Sequence, residues 1–70
     1  MKIEKGELQV IALDKDGFEL SNQFLPSKKE AKGYARRLVD DPELIRSGMN
    51  KVEIRDEKGE CISDFFVMAS

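Results

Sequence analysis

Histidine is absent, and Cys61 is the only cysteine among the 70 residues. Each scarcity removes a class of chemistry. Without an imidazole there is no proton carrier tuned near neutral pH, no His metal ligand, and no partner that could make a Cys/His nucleophilic pair with Cys61. A lone thiol also rules out an intramolecular disulfide framework, which fits a reducing cytoplasm. Cys61 then reads as a small hydrophobe at the start of a strand. No apolar run approaches the roughly 20 residues needed to cross a bilayer, and Met1-Lys2-Ile3-Glu4-Lys5 lacks the apolar core of a signal peptide. The expectation is a cytoplasmic protein with no membrane partner.

What is present suits a small folded domain. Hydrophobic residues make up 40% of the chain and charged residues 37%, a mixture unlike the signature of extended disorder. A chain of this length buries only roughly 60% of the surface that its unfolded form exposes, so residues 1–70 are expected to form a single domain with a small core. The formal net charge of −2 opposes bulk attraction to nucleic acid or anionic lipid, although it leaves room for a local basic patch.

Two hairpins bracket the sequence. Leu8 to Leu13 is a short apolar run whose Val10 and Ile11 favour extended backbone. Asp14-Lys15-Asp16-Gly17 supplies turn chemistry, and Phe18 to Phe24 returns. Lys51 to Arg55 alternates charged and apolar residues, Asp56-Glu57-Lys58-Gly59 repeats the turn chemistry, and Cys61 to Met68 returns. The plan is shared, but the general utility of Asp and Gly in turns explains it without a sequence repeat.

A helix from about Ser27 to Val39 joins the hairpins. Ser27 follows Pro26 and precedes Glu30 by three residues, the spacing of a capping box. Ala31, Tyr34, Ala35, Leu38 and Val39 then form an apolar stripe for one face of the sheet. Asp40-Asp41-Pro42 ends the helix, and Pro42 starts a short turn, Glu43 to Ser47, capped by Gly48. Leu44 and Ile45, with Met49, are expected to plug the open end of the core. The fold class is therefore α+β, β-β-α-β-β, with a four-stranded, largely antiparallel sheet and the main helix on one face. Two strand orders suit this plan. One places the first and last strands together at the centre, and the other joins the hairpins through the second and third strands.

Two surfaces stand out as candidate sites. Opposite its apolar stripe the helix carries Lys29, Lys32, Arg36 and Arg37 around Gly33, which intrinsic propensity would not place there. Such a face can meet a phosphate or carboxylate, and a missing Cβ permits close backbone approach. The second surface is the sheet face away from the helix. Ile11 and Leu13 in the first strand and Phe66 and Met68 in the last would lie there, uncovered, and would serve self-association, most simply as a two-fold homodimer.

Other constellations carry less. Asp14, Asp16 and Glu19, and likewise Asp40, Asp41 and Glu43, lack the spacing of a calcium loop and read as turn and helix-end residues. Ser27, Ser47 and Ser63 have no base arranged beside them. Phe65 and Phe66 are adjacent in a strand, so they point to opposite faces and cannot form one stacking platform. No catalytic residue, cofactor or metal site is expected.

The run Ser27-Lys28-Lys29-Glu30-Ala31 through Tyr34-Ala35-Arg36, followed by Val52-Glu53-Ile54-Arg55-Asp56-Glu57-Lys58-Gly59, resembles small bacterial domains of unknown function built from two hairpins around one helix. The resemblance covers about two thirds of the chain and implies the β-β-α-β-β fold, with no site residue to carry over. The expected function is a non-catalytic structural or protein-interaction domain that associates with itself or another protein. Its rival is RNA or DNA binding through the basic helix face.

Overall fold

A computed structural model describes residues 7–67. The elements run β1 Leu8–Asp14, β2 Glu19–Leu25, α1 Lys28–Leu38, α2 Pro42–Arg46, β3 Met49–Arg55 and β4 Cys61–Phe66. They form one four-stranded antiparallel sheet made of two hairpins, with α1 packed on one face.

The strand order is β2-β1-β3-β4, which corrects both orders expected from the sequence. β1 pairs with β3 at the centre, and β4 lies at the edge. Apolarity on both faces pointed to β4 as a central strand, but β3 takes that place. Lys51, Glu53 and Arg55 can nonetheless occupy the centre because they neutralise one another along the strand. Glu53 lies 2.8 Å from the Lys51 ammonium and 2.9 Å from the Arg55 guanidinium. On the opposite side of β3, Val52 and Ile54 are fully buried.

Helix start and stop follow the local chemistry. The Glu30 amide donates to Ser27 Oγ at 3.3 Å, and the Ser27 hydroxyl donates to the Glu30 carboxylate at 3.1 Å. The cap is therefore closed side chain to side chain. The stripe Ala31, Ala35 and Leu38 packs on Leu8, Val10, Ala12, Val52 and Ile54, with Tyr34 and Val39 at the margin. Ala31 and Ala35 are fully buried, and their small size lets the helix approach the sheet closely.

Asp41 caps α2 by accepting from the amides of Glu43 and Leu44. Gly48, with φ of 103°, follows α2 in the left-handed region that favours glycine. Met49 is buried and Leu44 packs against the core, but Ile45 is exposed, which corrects its expected part in the plug. The five-residue α2 turns only one side inward, and Leu44 occupies it.

The two hairpin loops are built alike in detail. In the first, Asp14 Oδ1 accepts from the amides of Asp16 and Phe18, both at 2.9 Å. In the second, Asp56 Oδ1 accepts from Lys58 and Glu60 at the same distance. Each Asp amide donates to the carbonyl of the residue after the loop glycine, and each glycine amide donates back to the Asp carbonyl. Both returning strands then carry one extra residue, Leu20 opposite the Ala12/Leu13 step and Ile62 opposite the Ile54/Arg55 step. At one constant spacing, Val10, Asp14, Gly17, Ser21 and Phe24 coincide with Val52, Asp56, Gly59, Ser63 and Phe66. The hairpins are thus structural counterparts, a stronger relation than turn chemistry alone implied. Phe18, expected in the returning strand, belongs to the loop because Asp14 ties its amide there.

Candidate functional site

The sheet face away from α1 is assembled by register. Gln9, Ile11 and Leu13 stand opposite Arg55, Glu53 and Lys51 on one side and Phe24, Asn22 and Glu19 on the other. Asp64 and Phe66 of β4 continue the rows from Glu53 and Lys51. Ile11 and Leu13 are only 1% and 5% exposed, so a single chain already covers them, which corrects the expectation that both lie open. Their neighbours in these rows include long Lys, Glu and Arg side chains, whose aliphatic stems suit such a surface. Phe66 differs, with 58% of its surface exposed, and Met68 lies outside the described residues.

Like β2 at the opposite edge, β4 is poorly enclosed. None of its residues is buried, Ile62 and Phe66 are exposed, and its outer edge has no strand beside it. The main footprint of α1 falls on β1, β3 and β2. At the centre of the open face, the hydrogen-bonded Lys51 ammonium holds the Glu53 carboxyl below its ordinary range. The Arg55 guanidinium adds to that effect, and partial desolvation opposes it. The same contact with Glu53 raises the Lys51 pKa.

On the other side of the molecule, Lys29, Lys32, Gly33, Arg36 and Arg37 are all exposed. None of the four cations makes an ion pair among the described residues. The structure separates them into two groups. Gly33 and Arg37 line a shallow open groove of about 350 Å³ together with Leu25, Glu30 and Tyr34. Lys29, Lys32 and Arg36 lie outside that lining. This corrects the expectation that Gly33 and Arg37 lie opposite Tyr34, since residues 30, 33, 34 and 37 are spaced three, four and seven apart and share one helix side. Leu25 joins them only because β2 ends where α1 passes.

Gly33 has no internal explanation. Its φ is not positive, and a Cβ built there meets nothing within 4 Å. Neither backbone strain nor a close neighbour within the chain demands glycine.

Among the described residues no cluster of acids and cysteine could hold a metal ion, and no helix is long and apolar enough to cross a membrane. Cys61 is exposed, and its thiol donates to the Ser63 carbonyl at 3.4 Å. The fold defines a small two-layer α+β domain. No family model, curated protein or solved structure matches the chain. The layout expected from the sequence, β-β-α-β-β, is present.

Proposed function

We propose that this chain is a small, non-catalytic protein-interaction domain of the cytoplasm that self-associates as a homodimer through the open sheet face beside β4. The observation that carries the reading is Phe66, 58% exposed on an edge strand that contains no buried residue. An exposed aromatic next to a free strand edge is a favourable anchor for a second chain. Four strands about 4.8 Å apart and roughly 20 Å long present a projected face near 400 Å². That is about half the area that each partner contributes to a standard stable interface, so the dimer is expected to be weak and concentration-dependent.

Light scattering across a concentration series tests the proposal. Mass should rise with concentration for the native chain and stay monomeric for Phe66→Ser. A native chain that remains monomeric at high micromolar concentration removes the dimer.

A second reading, RNA or DNA binding, is favoured by Lys29, Lys32, Arg36 and Arg37, which are exposed on α1 and make no ion pair among the described residues. Phosphate contacts of this kind release counterions and weaken steeply with salt. Titration with short single-stranded and duplex oligonucleotides at low and moderate salt decides it, and no binding at low salt eliminates it.

A further inference from the structure

We propose that an exposed cationic row on α1 binds the phosphate backbone of double-stranded DNA without reading its sequence. This deepens the nucleic-acid reading of the same helix and rests on it, while the β4 face takes no part.

Helix geometry builds the row. At about 3.6 residues per turn, Lys28, Lys32, Arg36 and Lys29 fall in that order within about 100° of arc. All four are exposed, and none makes an ion pair among the described residues. No carboxylate shares the arc. The one acid of α1, Glu30, lies on the groove side, where its carboxylate accepts from the Ser27 hydroxyl. With five cations against one acid, α1 has a formal charge of +4, so the rest of the chain, whose total is −2, carries −6. Such a separation of sign makes one side attractive to a polyanion and orients the molecule as it approaches.

The composition of the row selects the kind of polyanion. Without an apolar side chain in the arc, α1 has nothing to bury in a lipid surface and no anchor for a pocket on an acidic protein. Without an aromatic there, the bases of a single strand have no platform on which to stack. The exposed aromatics Phe18, Phe24 and Phe66 belong instead to the first hairpin and to β4. Backbone phosphates remain, which cationic side chains bind by charge alone.

Length and spacing select a B-form duplex. Lys28 and Arg36 stand at opposite ends of the row, about 12 Å apart along the helix axis. That matches the roughly 12 Å width of the major groove of B-DNA, so the two ends of the row can meet the two backbones that border it. Duplex RNA has a narrow major groove and is bound largely through its 2′-hydroxyls, and the row holds no Ser, Thr, Asn or Gln to meet one. Gly33 borders the row between Lys29 and Arg36, one turn from each. Its missing side chain leaves open space in which a phosphate can approach the helix backbone, a use for glycine that the chain itself does not have.

Fluorescence anisotropy of the full chain with a short labelled DNA duplex tests the proposal. The other probes are a thymidine single strand of the same length, an RNA duplex of the same sequence, a DNA duplex of scrambled sequence, and poly-glutamate. Four neutralised phosphates predict that log K falls with log salt at a slope of about −3.6, so affinity should drop about 150-fold between about 50 and about 200 mM. Both DNA duplexes should bind equally. Lys32→Ala combined with Arg36→Ala should flatten the slope by about 1.8, whereas Lys15→Ala combined with Lys58→Ala, in the exposed hairpin loops, should leave it unchanged. Gly33→Leu should weaken duplex binding about tenfold at about 50 mM salt, the counterion-release value of one phosphate contact. If the thymidine strand or the RNA duplex binds as tightly as the DNA duplex, the proposal falls while the nucleic-acid reading stands. No binding of any nucleic acid at low salt removes both. Poly-glutamate bound as tightly as the duplex overturns the proposal in favour of an acidic protein, and a slope that the Lys32 and Arg36 replacements leave unchanged overturns the location.

Discussion

Replacing Gly33 with alanine isolates one local term of the stability of this domain. Position 33 is in the middle of α1, exposed, and free of any positive φ. The new methyl group would meet nothing within 4 Å, so no steric penalty offsets the gain. Two effects then act in the same direction. Alanine has the higher intrinsic helix propensity, and it narrows the conformational freedom of the unfolded chain. Together they correspond to about 0.4 to 1 kcal/mol of added stability, without double counting the shared entropic origin. For a domain of this size that amounts to a melting-temperature rise of roughly 2 to 8 °C. With a urea m-value near 1 kcal/mol per molar, the midpoint should move up by about 0.4 to 1 M at unchanged slope. A midpoint that falls, or does not move, would refute the account of Gly33 as a helical residue with empty space beside it. Stabilisation accompanied by weaker association would show that the absent Cβ serves an intermolecular contact.

Two further perturbations probe the sheet. Glu53→Gln removes the anion between Lys51 and Arg55 and should lower stability by up to about 1 kcal/mol, the scale of solvent-screened pairs. The folded-state pKa of Glu53 is depressed, so its contribution is complete above the ordinary carboxylate pKa and is lost as pH falls through the lower folded value. Urea midpoints measured from neutral pH to below pH 4 or so should show less acid sensitivity in the variant, and equal slopes would contradict the assignment. Asp14→Ala and Asp56→Ala each delete an acceptor for two loop amides in matching geometry. Each should cost about 1 to 2 kcal/mol, as expected for lost hydrogen bonds at an exposed turn. A large difference between the two would show that the loops are alike in form but not in energetic role.

Local chemistry made much of this fold legible. Ser27 and Glu30 marked the start of α1, Asp40-Asp41-Pro42 marked its end, and each Asp-x-x-Gly run marked a hairpin. These signals depend on residues a few positions apart, whose hydrogen bonds are the same wherever the segment lies. The basic side of α1 was visible for the same reason, whereas Tyr34 was set opposite Gly33 and Arg37 and in fact borders the same groove. Phe18 was misplaced because an aromatic favours a strand, and only the Asp14 carboxylate decides that it closes a loop instead.

The sequence by itself determined the succession of strands, turns and helices, the impossibility of a disulfide within these 70 residues, and the cationic side of α1. Tertiary structure alone decided that β3, rather than β4, adjoins β1, since that choice rests on burial and neutralisation among residues far apart in the chain. Lys51, Glu53 and Arg55 can line a central strand because they neutralise one another, and Val52 and Ile54 reward that position by burial on the other face. The same pairing moves β4 to the margin, where Phe66 is exposed. The groove likewise arises from assembly, because Leu25 and Gly33 become neighbours only when the end of β2 and the side of α1 meet.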